Sequence, residues 1–170
     1  MATLVLTVIG DDQSGLVNAL AQVVSEGGGN WEGSHLAELA GKFAGIVVVT
    51  VPDAGVEDLV AALRPLDGLL DITVHTGTSG AAGAGPTVAV EIIGNDRPGI
   101  VREVSGVLAR HGLSIAEMAT ATREAPMAGG RLFEARLSAP VPADANLEAL
   151  RADLERIAHE VLVEITVAAT

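Results

Sequence analysis

Two short segments of this chain are copies of one another, and this repeat limits the possible folds more than any other feature of the sequence. The first copy spans residues 9–17 (IGDDQSGLV) and the second spans residues 93–101 (IGNDRPGIV). Each copy follows a run rich in β-branched residues and precedes an apolar pattern with helical spacing. The repeat therefore predicts two related units, in each of which a strand passes through a tight turn into the N-terminus of a helix.

The turn in the second copy contains residues suited to holding an anionic group. Pro98 fits the first helical position, where its missing N–H costs nothing, while Gly94 and Gly99 permit a close approach of the backbone. The N–H groups of Gly99 and Ile100 then lie at the positive end of the helix dipole. Such an arrangement predicts a small anion site.

Asn95 and Asp96 change the kind of ligand that this turn can take. A carboxylate beside a helix N-terminus repels a phosphate dianion. An α-amino acid, in contrast, can place its carboxylate on the helix N–H groups and its ammonium against Asp96 and the side-chain oxygen of Asn95. The local sequence also allows a structural interpretation, in which Asp96 caps the helix, worth about 1 kcal/mol, and the glycines only shape the turn.

The spacing of apolar residues predicts the same order of elements twice. In the first half, strands are predicted at 3–9, 30–39, 43–51 and 69–76, with helices at 14–26 and 55–66. In the second half, strands are predicted at 87–93, 114–123, 131–138 and 161–167, with helices at 98–111 and 146–159. The predicted fold class is α+β, with two ferredoxin-like βαββαβ units, each a four-stranded antiparallel sheet with its helices on one face.

A stretch of small residues separates the two halves. Residues 77–86 (GTSGAAGAGP) have too little apolar surface to pack, so they are predicted to link a domain at 1–76 to a domain at 87–170. The repeat aligns at an offset of 84 residues through the first helix and of 88 residues where Pro52 matches Pro140. Four extra residues are therefore predicted in the hairpin around residues 124–130, since a surface loop tolerates insertion.

Composition excludes several classes of partner and compartment. The formal charge is −12, and the arginines of the second half are scattered among glutamates, so direct binding to nucleic acid is not expected. The chain has no cysteine, which suits a reducing interior. Its apolar runs are too short to span a bilayer, and its first residues lack a secretory signal. We therefore expect a soluble cytoplasmic protein that binds neither nucleic acid nor membrane.

The sequence supports no catalytic residue, metal site or cofactor. The four histidines show no spacing typical of metal ligands: His35, His75, His111 and His159. The glycine turns lack the lysine of a P-loop and the Gly-x-Gly-x-x-Gly of a dinucleotide-binding fold. No serine lies in a sequence typical of a nucleophile elbow. An enzyme is therefore the least favoured hypothesis.

Together these features resemble the ACT domain, a small-molecule-binding regulatory module of amino-acid metabolism. The resemblance rests on residues 94–101 and 111–115, supported by residues 10–17 and 29–31 in the first half. The tandem arrangement is similar to that of the glycine cleavage system transcriptional repressor family. It implies an allosteric, non-enzymatic regulator that binds a free amino acid, acts on a protein partner in transcriptional control and forms a homodimer.

The resemblance also implies ligand-binding positions in both loops, where the loop of one unit faces another unit. In the second half these positions are Asn95, Asp96, Arg97, Pro98, Gly99 and Ile100. In the first half they are Asp11, Asp12, Ser14, Gly15 and Leu16. The first half has Gln13-Ser14 in place of the Arg-Pro pair, and Ser14 is able to cap the helix.

Two functional hypotheses follow from the sequence. In the first, the protein is a regulator that senses a small amino acid such as glycine or serine and thereby changes its contacts with a partner protein. In the second, it is a ligand-independent interaction module whose binding sites have decayed and whose sheet edge or acidic face recruits a partner.

Overall fold

The computed structural model describes residues 1–77, 85–125, 129–161 and 163–169, and the chain divides into two compact units, Met1–Gly80 and Ala81–Thr170. The first unit contains β1 (Ala2–Asp11), α1 (Leu16–Glu26), β2 (Asn30–Leu39), β3 (Lys42–Val51), α2 (Val56–Leu63) and β4 (Asp71–Thr76). The second contains β5 (Thr87–Asn95), α3 (Ile100–Arg110), β6 (Glu117–Glu124), β7 (Arg131–Pro140), α4 (Leu147–Val161) and β8 (Val163–Ala169). The predicted linker at 77–86 lies mostly outside the described residues, so these boundaries stay a prediction.

Each unit has one four-stranded antiparallel sheet, and the strand order is the same in both. The orders are β2-β3-β1-β4 and β6-β7-β5-β8, so the strand that leads into the predicted ligand-binding loop is central in each sheet. It is flanked by the third and fourth strands of its own unit. The order βαββαβ with these sheets confirms the predicted ferredoxin-like fold.

Each unit has its own core, largely aliphatic, between its helices and one face of its sheet. The first core is built from Leu4, Leu6, Val8, Leu16, Leu20, Val24, Val47, Val49, Val51, Leu59, Leu63 and Leu70, with Trp31 packed against it. The second includes Val88, Val90, Ile92, Ile100, Val104, Val107, Leu108, Leu150, Leu154 and Ile157. Alternate residues of the central strands are buried, which leaves the residues between them on the opposite face.

The predicted starts of α1 and α3 are wrong, because each helix begins two residues later than predicted. Helix α1 begins at Leu16 and α3 at Ile100, each directly after a glycine in the left-handed conformation. The φ angle is 95° at Gly15 and 100° at Gly99. A residue with positive φ cannot continue a right-handed helix, so Pro98 lies before the helix and not at its first position.

Several other predicted boundaries differ for local reasons. The α-helix predicted to reach residue 66 ends at Leu63 and continues as a 3-10 turn, because Pro65 has no N–H for the α-helical hydrogen bond. Strand β6 begins three residues later than predicted, after Leu113 has turned into the core at 5% exposure. Strand β8 begins at Val163 because α4 runs as far as Val161.

The insertion in the second unit is longer than predicted. Thr7 of β1 and Glu91 of β5 occupy equivalent positions and are 84 residues apart in the chain. Their partners on the neighbouring strands, Ile46 and Arg136, are also equivalent but are 90 residues apart. The second unit therefore has six extra residues between these positions. The predicted four is therefore wrong, and the equivalence of Pro52 and Pro140 is wrong too. The extra residues lie in the hairpin between β6 and β7, as predicted, although residues 126–128 are outside the described part.

A histidine–carboxylate pair joins the end of α3 to α4. His111 Nε2 lies 2.8 Å from Asp153 Oδ2, and Arg156 lies 3.0 Å from the other carboxylate oxygen. The hydrogen bond from His111, followed by that from Arg156, lowers the pKa of Asp153. A carboxyl whose pKa is lowered by folding stabilises the fold above its unfolded pKa, about 3.9, and that contribution is lost as the pH falls through the lowered value.

The variant Asp153→Asn should therefore have a lower Tm than the parent at pH 7, and the difference should shrink below about pH 4. Thermal unfolding followed by circular dichroism across a pH series measures this. Glu155→Gln is the control, because Glu155 is exposed on the same helix. A difference between Asp153→Asn and parent that stays constant into strong acid would contradict the role given to this pair.

Candidate ligand site at the strand-to-helix corners

The segments that join the central strand to the first helix have the same backbone anchor in both units. We call residues 11–16 the first corner and residues 95–100 the second corner. The N–H of Asp12 donates to the carbonyl of Gly41 at 3.0 Å, and the N–H of Asp96 donates to the carbonyl of Arg131 at 2.8 Å. The two corners therefore share one backbone arrangement although their central dipeptides differ.

Both corners lead into helices that lack a side-chain cap. Neither α1 nor α3 has a side-chain hydrogen bond at its N-cap, so the structure does not show the caps by Ser14 and Asp96 that the sequence allows. Helix α4 shows the contrast, since Asn146 Oδ1 accepts a hydrogen bond from the N–H of Ala149 at 3.0 Å. In α1 and α3 the N-cap position is a glycine, which has no side chain to offer. The N–H groups of the first turn are therefore available to an oxygen from outside the helix.

Each corner also pairs a carboxylate with a cation from the strand that follows the hairpin. Lys42 Nζ contacts Asp11 in the first corner, and its hydrogen bond lowers the pKa of the Asp11 carboxyl. In the second corner, Arg131 Nε lies 3.8 Å from Asp96 Oδ2, with the arginine 64% exposed. Exposed pairs of this kind contribute little to stability, so a ligand can replace either partner at little cost.

The second corner carries more positive charge than the first. Arg97 lies within it, and Arg131 lies beside it next to Asp96. Arg102 on the first turn of α3 pairs with Glu103 at 2.9 Å. The Arg102 hydrogen bond is the main cause of the lowered pKa of Glu103, and the charge of Arg97 contributes to it. Beside the first corner, the cation is Lys42, which contacts Asp11, and a second carboxylate, Asp12, follows directly in the chain.

The predicted ligand residues fall into two groups in the structure. The side chains of Leu16 and Ile100 are 3% and 2% exposed and belong to the cores, so only their backbone groups face the corner. The remaining side-chain-bearing positions are exposed: Asp11, Asp12, Ser14, Asn95, Asp96, Arg97 and Pro98. Gly15 and Gly99 set the direction of the helices. The corners thus offer exposed polar side chains beside backbone donors.

Sequence reasoning missed Lys42 and Arg131, the cations that lie beside the corners. The signal that identifies them is strand register. Asp11 is paired with Lys42 in the ladder between β1 and β3, and the β5–β7 ladder, continued by one residue, pairs Asp96 with Arg131. A cation is thereby placed opposite an aspartate in each unit, which side-chain pairing across antiparallel strands favours.

The described histidines and carboxylates do not come together as a metal site. In the described ranges, no three or more His, Asp or Glu side chains are grouped so that they can hold a metal ion. His111 is paired with Asp153, and His159 Nδ1 lies 3.0 Å from the carbonyl oxygen of Glu155. None of the helices in those ranges has the length and apolar character needed to cross a membrane.

Comparison with known families assigns the class of protein. Residues 2–77 and residues 88–159 each match the ACT domain family, one match in each unit. The chain belongs to the ACT domain family and carries two ACT domains in tandem. It is similar to the glycine cleavage system transcriptional repressor of Escherichia coli (strain K12), with 28% identity over 147 residues that cover 84% of this chain and 77% of the relative.

Two solved structures share this tandem fold. A protein of unknown function from Galdieria sulphuraria has a TM-score of 0.89 and 27% identity, covering 99% of this chain and 98% of its own. A putative glycine cleavage system transcriptional repressor has a TM-score of 0.70 and 20% identity, and the alignment covers 99% of this chain and 97% of the other. At this level of identity the similarity shows the fold alone. The ACT domains and the repressor relative point to a regulatory, non-catalytic role that involves a small ligand.

Proposed function

We propose that this protein is a non-enzymatic regulator that binds a small amino acid, such as glycine or serine, at the second corner. The observation that carries the proposal is the uncapped N-terminus of α3 beside the carboxylate of Asp96. An uncapped helix start attracts a carboxylate, and an aspartate attracts an ammonium group. A ligand that carries both groups on one carbon matches this arrangement.

In this proposal the second corner binds the amino acid as a zwitterion, through both its carboxylate and its ammonium group. The ligand carboxylate accepts hydrogen bonds from the N–H groups of Ile100 and its neighbours in the first turn, and Arg97 and Arg131 favour its negative charge. The ligand ammonium displaces Arg131 from Asp96 and uses the side-chain oxygen of Asn95 as a second acceptor. Because the Asp96–Arg131 pair is loose and exposed, the exchange costs little.

The second corner is the stronger site in this proposal because of its charge. In the first corner Asp11 and Asp12 stand together, and Lys42 is engaged by Asp11. Two adjacent carboxylates repel the carboxylate of a ligand, and one paired lysine does not compensate for them. The first corner keeps the backbone geometry of the second and has the weaker attraction for an amino acid.

Binding becomes regulation if the ligand favours one conformation of the protein over another. The relative in Escherichia coli is named a transcriptional repressor. With a formal charge of −12 the present chain is poorly suited to phosphate backbones, so we propose that it acts through a protein partner in the cytoplasm. The ligand then changes the surface that this partner meets.

Isothermal titration calorimetry with a panel of proteinogenic amino acids tests the proposal. We expect saturable binding of at least one small amino acid and an affinity about tenfold to hundredfold lower in Asp96→Asn, because a charge-assisted hydrogen bond is lost. Asp12→Asn is the matched control at the equivalent position in the first corner and should change the affinity little. Absence of binding at millimolar ligand would overturn the proposal, as would equal affinities of Asp96→Asn and parent.

A second candidate is a ligand-independent interaction module. The specific observation in its favour is that both corner carboxylates already have a cation beside them, Lys42 at Asp11 and Arg131 at Asp96. In that case the pairs are purely structural, and capture of a partner protein is the same with and without amino acids. Ligand-dependent capture would favour the regulator.

A further inference from the structure

Arg131 connects the second corner to β6, a strand at the edge of the second sheet. Its carbonyl accepts the hydrogen bond from the N–H of Asp96 at 2.8 Å, and its side-chain Nε lies 3.8 Å from Asp96 Oδ2. The Nη2 group of the same guanidinium donates a hydrogen bond to Oγ1 of Thr122 on β6. One residue thus contacts both the corner and the edge strand.

The first unit has an equivalent connection with different chemistry. Glu38 of β2 and Thr122 of β6 occupy equivalent positions on the edge strands. Each is paired with a phenylalanine of the next strand, Phe43 in the first unit and Phe133 in the second. Glu38 Oε1 accepts a hydrogen bond from the N–H of Gly41 at 2.8 Å, and the carbonyl of Gly41 anchors the first corner. In both units, therefore, a side chain of the edge strand bonds to the residue that anchors the corner.

The two connections differ in what they offer to a ligand. Gly41 has no side chain, so the bond from Glu38 reaches only the main chain. Arg131 carries five N–H groups in a fixed planar arrangement, and the bond to Thr122 leaves others for a carboxylate. Its Nε is beyond hydrogen-bond length from Asp96. A ligand ammonium can therefore take Asp96 while Thr122 still holds the guanidinium.

We propose that Thr122 is a positioning residue for amino-acid binding at the second corner. Its hydroxyl holds the guanidinium of Arg131 beside the corner, where the carboxylate of a bound amino acid meets it. Thr122 acts through Arg131 and does not itself contact the ligand. This role rests on the proposed function and extends the binding site to the edge strand β6.

Restriction of the Arg131 side chain gives the contact its effect on affinity. A long side chain that moves freely loses rotamer entropy when it binds a carboxylate, and this loss weakens binding. The Arg131 side chain is 64% exposed, so packing alone does not fix it. The bond to Thr122 restricts its motion before the ligand arrives, so less entropy is lost on binding.

Isothermal titration calorimetry of the full chain with glycine, alanine and serine as probes tests this role. Thr122→Val replaces the hydroxyl with a methyl group and keeps a β-branched side chain, so the strand is retained. We expect it to bind about threefold to tenfold more weakly than the parent. Thr122→Ser keeps the hydroxyl and should stay within about twofold of the parent. Thr120→Val is the matched control, because Thr120 lies two residues earlier on the same side of β6.

A double-mutant cycle separates positioning from a purely structural effect. Arg131→Gln keeps the main-chain carbonyl that anchors Asp96 and removes the guanidinium. In that background Thr122→Val should have no further effect on affinity, because the group on which Thr122 acts is gone. In the free protein, the NMR order parameter of the Arg131 Nε–H group should fall in Thr122→Val and be retained in Thr122→Ser.

The possible outcomes distinguish this role from the proposed function. If the parent binds an amino acid and Thr122→Val binds it equally well, Thr122 has no positioning role and the proposed function stands. The same conclusion follows if the loss in Thr122→Val persists in the Arg131→Gln background. If the parent binds none of the three probes, both are wrong. Circular dichroism establishes that each variant is folded, and Thr122→Ala removes the same hydroxyl if Thr122→Val does not fold.

Discussion

Replacing Gly94 with alanine should lower the free energy of unfolding by about 2–4 kcal/mol, because the added Cβ overlaps the neighbouring strand. A Cβ at this position would lie 2.6 Å from Cγ1 and 2.8 Å from Cα of Val163, which is paired with Gly94 in the sheet. The Cα atom belongs to the backbone, so a change of rotamer cannot relieve the contact. Urea unfolding followed by circular dichroism measures the loss.

Gly106→Ala is the matched control within the same unit. Gly106 lies in α3, where the nearest atom to an added Cβ is the flexible end of Arg110 at 3.7 Å. Alanine is favoured over glycine inside a helix, so this variant should be about 0.5–1 kcal/mol more stable than the parent. The same chemical change is thus expected to have opposite signs at two positions. Equal stability of Gly94→Ala and parent would mean that β8 does not approach β5 as closely as described.

The second large effect is expected at Ile100, a residue of the second corner. Its side chain is 2% exposed and packs in the core of the second unit, so Ile100→Ala should cost about 2–5 kcal/mol. Ile100→Val removes one methylene and should cost about 0.5–1.5 kcal/mol. Because the proposed ligand contact is through the backbone N–H, the folded Ile100→Val variant should keep the amino-acid affinity of the parent. Urea unfolding and calorimetry measure the two quantities separately.

The neighbouring Val101 provides the control for this prediction. It is 41% exposed on the first turn of the same helix, and Val101→Ala should change the stability by no more than about 0.5 kcal/mol. A loss as large as that of Ile100→Ala would show that this turn packs by a different face. If Ile100→Val folds like the parent but binds the amino acid much more weakly, the side chain of Ile100 contributes to binding, and the proposal that only its backbone N–H does so is wrong.

Much of the fold could be predicted because it depends on periodicity. The spacing of Ile100, Val104, Val107 and Leu108 indicates one apolar helix face, and all four are buried. Strand β2 was predicted with its observed bounds, Asn30–Leu39. The order βαββαβ occurs in both halves, and few chain topologies are compatible with this order, so it identifies the ferredoxin-like fold.

The error at the start of α3 arises because Pro98 and Gly99, which are adjacent, favour different helix starts. Pro98 is common at the first helical position, which places the start too early. The structure instead gives Gly99 a φ of 100°, and the helix starts after it. Local sequence cannot choose between these outcomes, because the choice depends on the bond from Asp96 to the carbonyl of Arg131 in a strand far along the chain.

The cations of the corners depend on the same long-range information. Lys42 is 31 residues from Asp11. Arg131 follows an insertion that is longer than the alignment of Pro52 with Pro140 predicts. Only the register of the central strands places each cation opposite its aspartate. The pairing of Glu91 with Arg136 is equally hidden, because it is apparent only when residues of separate strands are compared position by position.

The hydrogen bonds that hold the two corners join one main-chain group to another, from Asp12 to Gly41 and from Asp96 to Arg131. Every residue other than proline carries the same main-chain N–H and carbonyl groups, so these bonds do not depend on which side chains the corners have. The dipeptide Gln13-Ser14 in one unit and Arg97-Pro98 in the other are therefore compatible with one shape of the loop. A duplicated domain of this kind can change the ligand chemistry of one copy without rebuilding its backbone.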